Sequence, residues 1–187
     1  MSMQPRPEAN PPDAISFAEA GDGVVVIRVR GRGSFANSAD LKRLATELAQ
    51  KYLSSGRKYT FVFDMAECET LDSTFMGILA AIGLRQIQDT GSKAIVVRPR
   101  DHVARLLHTL GLHHILRLRT GSEGEAPKVD QADFKAADHQ QQSRLDQILD
   151  MLEAHKTLCD IDSGNVIRFA NVLEYLKDSL ERERGKQ

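Results

Sequence analysis

Residues 68–83 read CETLDSTFMGILAAIG, and in this stretch three small polar residues (Asp72 to Thr74) stand directly before an apolar run. One polar residue would suffice as the N-cap of a helix, with Phe75 and Met76 as its first core residues. The alternative is a contact surface, because first-turn side chains at a sheet edge are often half exposed. Large apolar side chains beside the modifiable hydroxyl of Ser73 would then form a switchable binding surface.

The sequence on both sides of this stretch alternates strands and helices. Branched and aromatic runs predict strands at Val24 to Gly31, Tyr59 to Met65, Lys93 to Pro99 and His114 to Arg119, with a first strand near Ala14 to Ala20. Helical spacing predicts helices at Asn37 to Leu53, capped by Asn37 or Ser38, at Ser73 to Thr90, and at Asp101 to Gly111. This order predicts an α/β fold with a mixed, mostly parallel sheet of about four to five strands.

The glycine loop Gly31 to Ser38 and the stretch around Ser73 both follow strands that leave the carboxyl edge of the sheet, where α/β folds meet ligands and partners. The letters GRGSFA within the glycine loop match G-x-G-x-x-A, a dinucleotide-binding pattern. The acidic residue expected about 20 residues later is absent, since the next strand ends at Asp64. The glycines are equally explained by a close approach of this loop to the Ser73 helix. A nucleotide-binding α/β regulatory domain stays as the alternative function.

Beyond a linker at residues 120–129, two amphipathic helices are expected within residues 130–187. An isolated helical hairpin is marginally stable, so it needs a surface to cover. Residues 13–118 carry 14 Lys and Arg against 11 Asp and Glu, whereas residues 119–187 carry 10 against 14. The tail is therefore expected to pack on an α/β domain away from Ser73, either its own or that of a second copy in a homodimer.

Composition excludes several classes of function. The chain has 187 residues, 41% of them apolar, and a net charge of −1, which gives no general attraction to nucleic acid or membranes. No apolar segment approaches a membrane span, and residues 1–12 read as a disordered tail without a secretory signal, so a cytoplasmic protein is expected. Cys68 and Cys159 form no CxxC pair and read as reduced thiols. The six histidines show no metal-ligand spacing, so no metal or other cofactor is expected.

Residues 64–82, DMAECETLDSTFMGILAAI, resemble the signature of STAS domains, the family of bacterial anti-sigma factor antagonists. In that family an Asp ends a strand, and an Asp-Ser-Ser/Thr triplet opens a helix of small and apolar residues. The resemblance extends over Ala14 to Arg119 and includes the strand around VVVIRVRGRGSF and the segment LLHTLGLHHIL. It implies a STAS domain at residues 13–119, followed by the helical extension, which is not part of the minimal domain.

The resemblance implies a protein-binding module in signal transduction and not an enzyme. The serine that matches the phosphorylated position of the family is Ser73, and Asp64 matches the aspartate that ends the strand. The implied partners are an anti-sigma factor that is itself a serine kinase and a PP2C-type phosphatase. The unphosphorylated form would bind the anti-sigma factor and release the sigma factor for transcription, a mechanism called partner switching.

The expected partner-binding surface combines the residues around Ser73 with the glycine loop. Its members are Asp72, Thr74, Phe75, Met76, Gly33, Ser34, Asn37 and Ser38. This chain departs from the family at one point, because many members have Ser-Gly-Leu-Gly after the phosphoserine and here the residues are Thr74 to Gly77. Phosphate at a helix N-terminus is compatible with the fold, since the helix dipole favours negative charge there.

Overall fold

The computed structural model describes residues 14–121 and 124–186 of the chain, and the tail predicted at residues 1–12 lies outside these ranges. The strands are β1 (Ala14–Glu19), β2 (Val24–Gly33), β3 (Thr60–Asp64), β4 (Cys68–Leu71), β5 (Ile95–Val97), β6 (Arg117–Arg119) and β7 (Lys135–Ala136). The helices are α1 (Phe35–Ser54), α2 (Ser73–Thr90), α3 (Asp101–Thr109), α4 (Arg144–Ile161) and α5 (Gly164–Arg184). None of the described helices is both long and apolar enough to cross a membrane.

The described strands form one mixed seven-stranded sheet in the order β6-β5-β3-β2-β1-β7, with β4 added alongside β2. Strand β2 pairs in parallel with β3 and β4, and the parallel pairing continues through β5 to β6. Strand β1 pairs antiparallel with both β2 and β7. The α/β class and the mixed sheet agree with the prediction, but four to five strands were too few. The unpredicted strands β4 and β7 read CETL and KA, which contain no apolar branched or aromatic run that would predict a strand.

The two faces of the sheet are covered differently. Alternate residues of β2 and β3 point into the main core beneath α1 and α2. The opposite face carries Val26, Val62 and Val97, and the segment at residues 126–134 packs on them through side chains that include Val129 and Phe134. Residues 126–129, the last part of the stretch predicted as a linker, therefore lie on the second face of the sheet, before β7.

The glycine loop predicted at Gly31 to Ser38 is not a loop. Strand β2 continues to Gly33, Ser34 caps α1, and the helix begins at Phe35. The predicted caps, Asn37 or Ser38, are too late, because the side chain of Asn37 instead accepts a hydrogen bond from the Ser34 N–H at 2.9 Å and completes a capping box. The expected close approach does occur. A Cβ at Gly33 would lie 2.5 Å from Leu71 Cδ2 and 2.8 Å from the Phe75 ring.

One carboxylate caps both α1 and α2. Asp72 Oδ1 accepts a hydrogen bond from the Phe75 N–H at 2.8 Å, and Asp72 Oδ2 accepts one from the Phe35 N–H, also at 2.8 Å. The Asp72 N–H in turn donates to the Gly33 carbonyl at 2.9 Å. The N-termini of the two helices are thus joined at one side chain, which satisfies donors that a helix start leaves free.

Helix α2 has the predicted bounds, and it ends at Gly91 in the left-handed conformation with a φ of 77°. The expectation that its first turn is half exposed is wrong. Phe75 is 0% exposed, Met76 3% and Thr74 6%, and all three side chains are buried. The reason lies in β4, which pairs with the end of β2 and brings the start of α2 over Gly33, so that the first turn packs inward.

Helices α4 and α5 form a hairpin, and α4 packs along α2 of its own domain. The two helices approach so closely that a Cβ at Gly77 would lie 2.4 Å from the Ala154 carbonyl oxygen. Ala154, Leu158 and Phe169 join the main hydrophobic core. Docking on the α/β domain was expected, but the expected position away from Ser73 is wrong, because α4 lies directly beside that residue.

Because Phe75 belongs to the core, Phe75→Ala should lower the free energy of unfolding by roughly 3–5 kcal/mol. The matched control is Phe35→Ala, since Phe35 is 54% exposed and should change stability by less than about 0.5 kcal/mol. Denaturant unfolding of both variants measures the difference. Similar losses for the two would contradict the placement of these aromatic residues.

Asp72→Ala removes a cap from two helices at once, so it should lower the free energy of unfolding by roughly 2 kcal/mol. Ser143→Ala removes one cap, the hydrogen bond from the Asp146 N–H at the start of α4, and should cost about half as much. Unfolding in urea compares the two. A loss at position 72 no larger than that at position 143 would show that the shared cap contributes nothing extra.

Candidate functional site

Ser73 is the first residue of α2 and is partly exposed. Its Oγ is 2.9 Å from Nε2 of His155 on α4. The other ring nitrogen, Nδ1, lies 2.7 Å from the Met151 carbonyl oxygen. A carbonyl only accepts hydrogen bonds, so Nδ1 carries a proton, and in the neutral ring Nε2 accepts a hydrogen bond from the Ser73 hydroxyl.

His155 is held from several sides. It is only 4% exposed, and its ring meets the ring of Phe169 on α5 edge-on, with centroids 4.9 Å apart. The sequence analysis did not select this residue. One signal was available, because His155 follows Ile148 and Leu152 on the apolar stripe of α4, where a polar side chain needs a buried partner.

The residues predicted to contact a partner fall into two groups. Asp72, Ser34 and Asn37 are partly exposed and surround the junction of the two helix starts. The buried group consists of Gly33, Ser38, Thr74, Phe75 and Met76. The exposed aromatic side chain of this region is Phe35, which lies beside Asp72 and which the sequence analysis did not name.

Asp64 is placed at the end of β3, as predicted, but on the other face of the sheet. It is 1% exposed, and its carboxylate pairs with the Arg28 guanidinium at 3.3 Å and with Arg98 Nε at 3.1 Å. Arg28 also stacks on Phe134, with Cζ 3.8 Å from the ring centroid. Asp64 therefore ties β2, the loop after β5 and the segment at residues 126–134 together, which is a supporting role.

The start of α1 offers little to a nucleotide phosphate. The N–H groups of Ser34, Phe35 and Ala36 already donate to the side chains of Asn37, Asp72 and Ser34. The carboxylate of Asp72 occupies the position next to the helix N-terminus that a phosphate would need. The G-x-G-x-x-A pattern therefore serves the strand-to-helix junction.

Three histidines lie close together at the end of α3. His113 stacks on His108 with centroids 4.5 Å apart and is tilted against His114 with centroids 4.0 Å apart, and burial together with the neighbouring imidazoles lowers the pKa of His113. Across the part of the chain that is described, no three His, Cys, Asp or Glu side chains converge as metal ligands. Cys68 is a free thiol whose burial raises its pKa to about 11, so it is unreactive at neutral pH.

Solved structures with a similar fold include anti-sigma factor antagonists. One from Mycobacterium paratuberculosis is 24% identical, with 61% of this chain and 92% of that chain covered and a TM-score of 0.50. A putative one from Thermotoga maritima is 21% identical, covering 56% and 86%, with a TM-score of 0.45. The phosphorylated form of the Bacillus cell fate determinant SpoIIAA is 16% identical, covering 59% and 95%, also at 0.45.

A comparison with curated proteins gives no significant match. The family model of the STAS domain matches residues 18–125, which is more than half of the chain. Together with the α/β fold and the Asp-Ser-Thr triplet at the start of α2, this match shows that the chain belongs to the STAS domain family.

Proposed function

We propose that this protein is an anti-sigma factor antagonist, a protein-binding module switched by phosphorylation of Ser73. In the unphosphorylated form it binds and sequesters an anti-sigma factor that is also a serine kinase. A PP2C-type phosphatase reverses the modification. In this proposal the protein has no catalytic residues of its own and acts by partner switching.

The observation that carries the proposal is the unequal exposure within the Asp-Ser-Thr triplet. Thr74 is 6% exposed, and Asp72 uses both carboxylate oxygens to cap helices. Ser73 is partly exposed as a residue, and its hydroxyl pairs with the side chain of His155 and not with the backbone. A kinase can therefore modify Ser73 with less disturbance of the core than modification of Thr74 would cause.

Phosphate on Ser73 would change the surface without unfolding the domain. It adds about −1.5 to −2 charge at neutral pH, and the dipole at the start of α2 favours a negative group there. The same charge beside the Asp72 carboxylate would repel an acidic partner. The switch therefore acts on binding and leaves the fold in place.

The contact surface that the exposed residues support is centred on Phe35. Its ring is 54% exposed and next to the partly exposed Ser34, Asn37 and Asp72. Large aromatic side chains are frequent anchors of protein interfaces. The buried Phe75, Met76, Thr74, Gly33 and Ser38 contribute by shaping the backbone beneath this surface.

The distance between Ser73 and His155 is that between a nucleophile and its general base in hydrolases. In this protein we assign the pair a structural role. His155 is 4% exposed, and its Nδ1–H bonds to a carbonyl of its own helix one turn earlier, so the ring is built into the packing of α4 on α2. We therefore assign the pair to the docking of the hairpin.

The proposal predicts that an anti-sigma factor kinase of the source organism, with ATP, places one phosphate on Ser73, located by mass spectrometry of the intact chain and its peptides. Ser73→Ala should take up no phosphate and should bind the kinase, while the phosphorylated chain should bind at least tenfold more weakly by calorimetry. Phosphate on another residue, or equal affinity of modified and unmodified chains, would refute the switch.

Phe35→Ala should weaken the complex with that kinase by about 2 kcal/mol, roughly a thirtyfold change in Kd, because truncation removes the central anchor. The free energy of unfolding of Phe35→Ala should change by less than about 0.5 kcal/mol. The exposed Tyr175, at 64% exposure on α5, supplies the control Tyr175→Ala, which should leave the affinity unaltered. Equal affinities for both variants and the unmodified chain would exclude Phe35 from the interface.

A further inference from the structure

The C-terminal hairpin covers the residue that the proposed switch depends on. The Ser73 hydroxyl is hydrogen-bonded to Nε2 of His155. One turn further along α2, Gly77 lies against the backbone of α4 at Ala154. A protein partner that approaches this side of α2 therefore meets α4 before it meets the helix.

Polar contacts attach the hairpin to the domain on both sides of His155. In the middle of α4, Lys42 of α1 pairs with Asp150 at 2.8 Å and with Glu153 at 2.6 Å. At the turn between α4 and α5, the buried Asn165 side chain donates to the Leu110 carbonyl at 3.0 Å, after the end of α3. His155 lies between these points, so contact with Ser73 reports on the docking of the whole hairpin.

The hairpin also has a structure of its own. Ile148, Leu152 and Leu176 form a small core between α4 and α5, separate from the main core of the domain. Ala154 and Leu158 of α4 and Phe169 of α5 attach the hairpin to the main core of the domain. Because α4 and α5 also share a core of their own, they would leave α2 together and not residue by residue.

A phosphate on Ser73 is incompatible with this docked geometry. Phosphoryl transfer from ATP forms the Oγ–P bond, breaks the bond from the γ-phosphorus to its bridging oxygen, and releases ADP and the hydroxyl proton. His155 Nε2 then loses the hydrogen bond that it accepts. The phosphate would also have to occupy the space where Nε2 of His155 now lies 2.9 Å from Oγ.

We propose that the hairpin is an intramolecular cover for Ser73, and that its docking and the phosphorylation of Ser73 exclude each other. Coupling of this kind is reciprocal, so release of the hairpin exposes Ser73, and phosphate on Ser73 prevents the hairpin from docking again. The biological use of the cover rests on the proposed function. The coupling itself is a property of this chain alone and can be measured without any partner.

The test uses the full chain with phosphoserine incorporated at position 73 during translation, compared with the unmodified chain by hydrogen exchange and mass spectrometry. Peptides from α4 and α5 should exchange at least tenfold faster in the phosphorylated chain, while peptides from β2 and β3 keep their protection. Gly77→Gln provides the reference for an undocked hairpin, because a side chain there collides with the Ala154 carbonyl. Phosphoserine at the exposed position 92 is the matched control and should change nothing in α4.

Unchanged protection of α4 in the chain phosphorylated at position 73, with faster exchange in Gly77→Gln, would overturn the proposal, since it would mean that a protonated His155 accommodates the phosphate. If phosphorylation also speeds hydrogen exchange in β2 and β3, the experiment is repeated with Ser73→Asp, which introduces a smaller negative group. Faster exchange in α4 but not in β2 of that variant would support the proposal, and unchanged exchange in α4 would overturn it. No kinase enters this experiment. Its failure therefore leaves the proposed function standing, and the lack of any Ser73 kinase would leave the coupling standing.

Discussion

The carboxylate of Asp72 fixes the arrangement on which the candidate site depends. By accepting one hydrogen bond from each of two helix starts, it holds the beginning of α1 and the beginning of α2 at one point above the end of β2. Ser73 is therefore placed at a helix N-terminus with a backbone that cannot shift independently of α1. The same constraint turns Phe75 into the core and leaves Phe35 exposed.

Much of the fold could be predicted because its signals are local. The bounds of α2 and the role of Gly91 follow from a capping residue, an apolar run and a glycine that tolerates a positive φ. The predicted cap of α1, Asn37 or Ser38, lies three or four residues after the actual cap Ser34, because the pairing of β2 with β4 fixes where the strand ends. Strands β4 and β7, with the sequences CETL and KA, contain no apolar branched or aromatic run and are defined by the strands that they pair with.

The residues of the candidate site also divide into those with a local sequence signal and those defined by tertiary contacts. Ser73 could be selected as a candidate from the residues next to it in the sequence, whereas the burial of Phe75 and Met76 depends on the tertiary position of Gly33 and Leu71. His155 is 82 residues from Ser73, and no periodicity links two such positions. The charge difference between the two parts of the chain predicted docking of the tail, but charge is too diffuse to select a face. The choice of α2 depends on Gly77, which lets α4 approach closely.

The segment that follows the STAS domain covers several parts of it and so reduces the surface area that a partner could contact. Residues 126–134 cover the second face of the sheet, β7 pairs with β1, and α4 covers α2. Gly77 matches the last glycine of the Ser-Gly-Leu-Gly pattern that many family members show, and here the backbone of α4 occupies the space beside it. A partner that needs this side of α2 must displace α4, whereas a partner that binds at Phe35 need not. The hairpin therefore distinguishes two parts of the domain, the exposed region around Phe35 and the side of α2 that α4 covers.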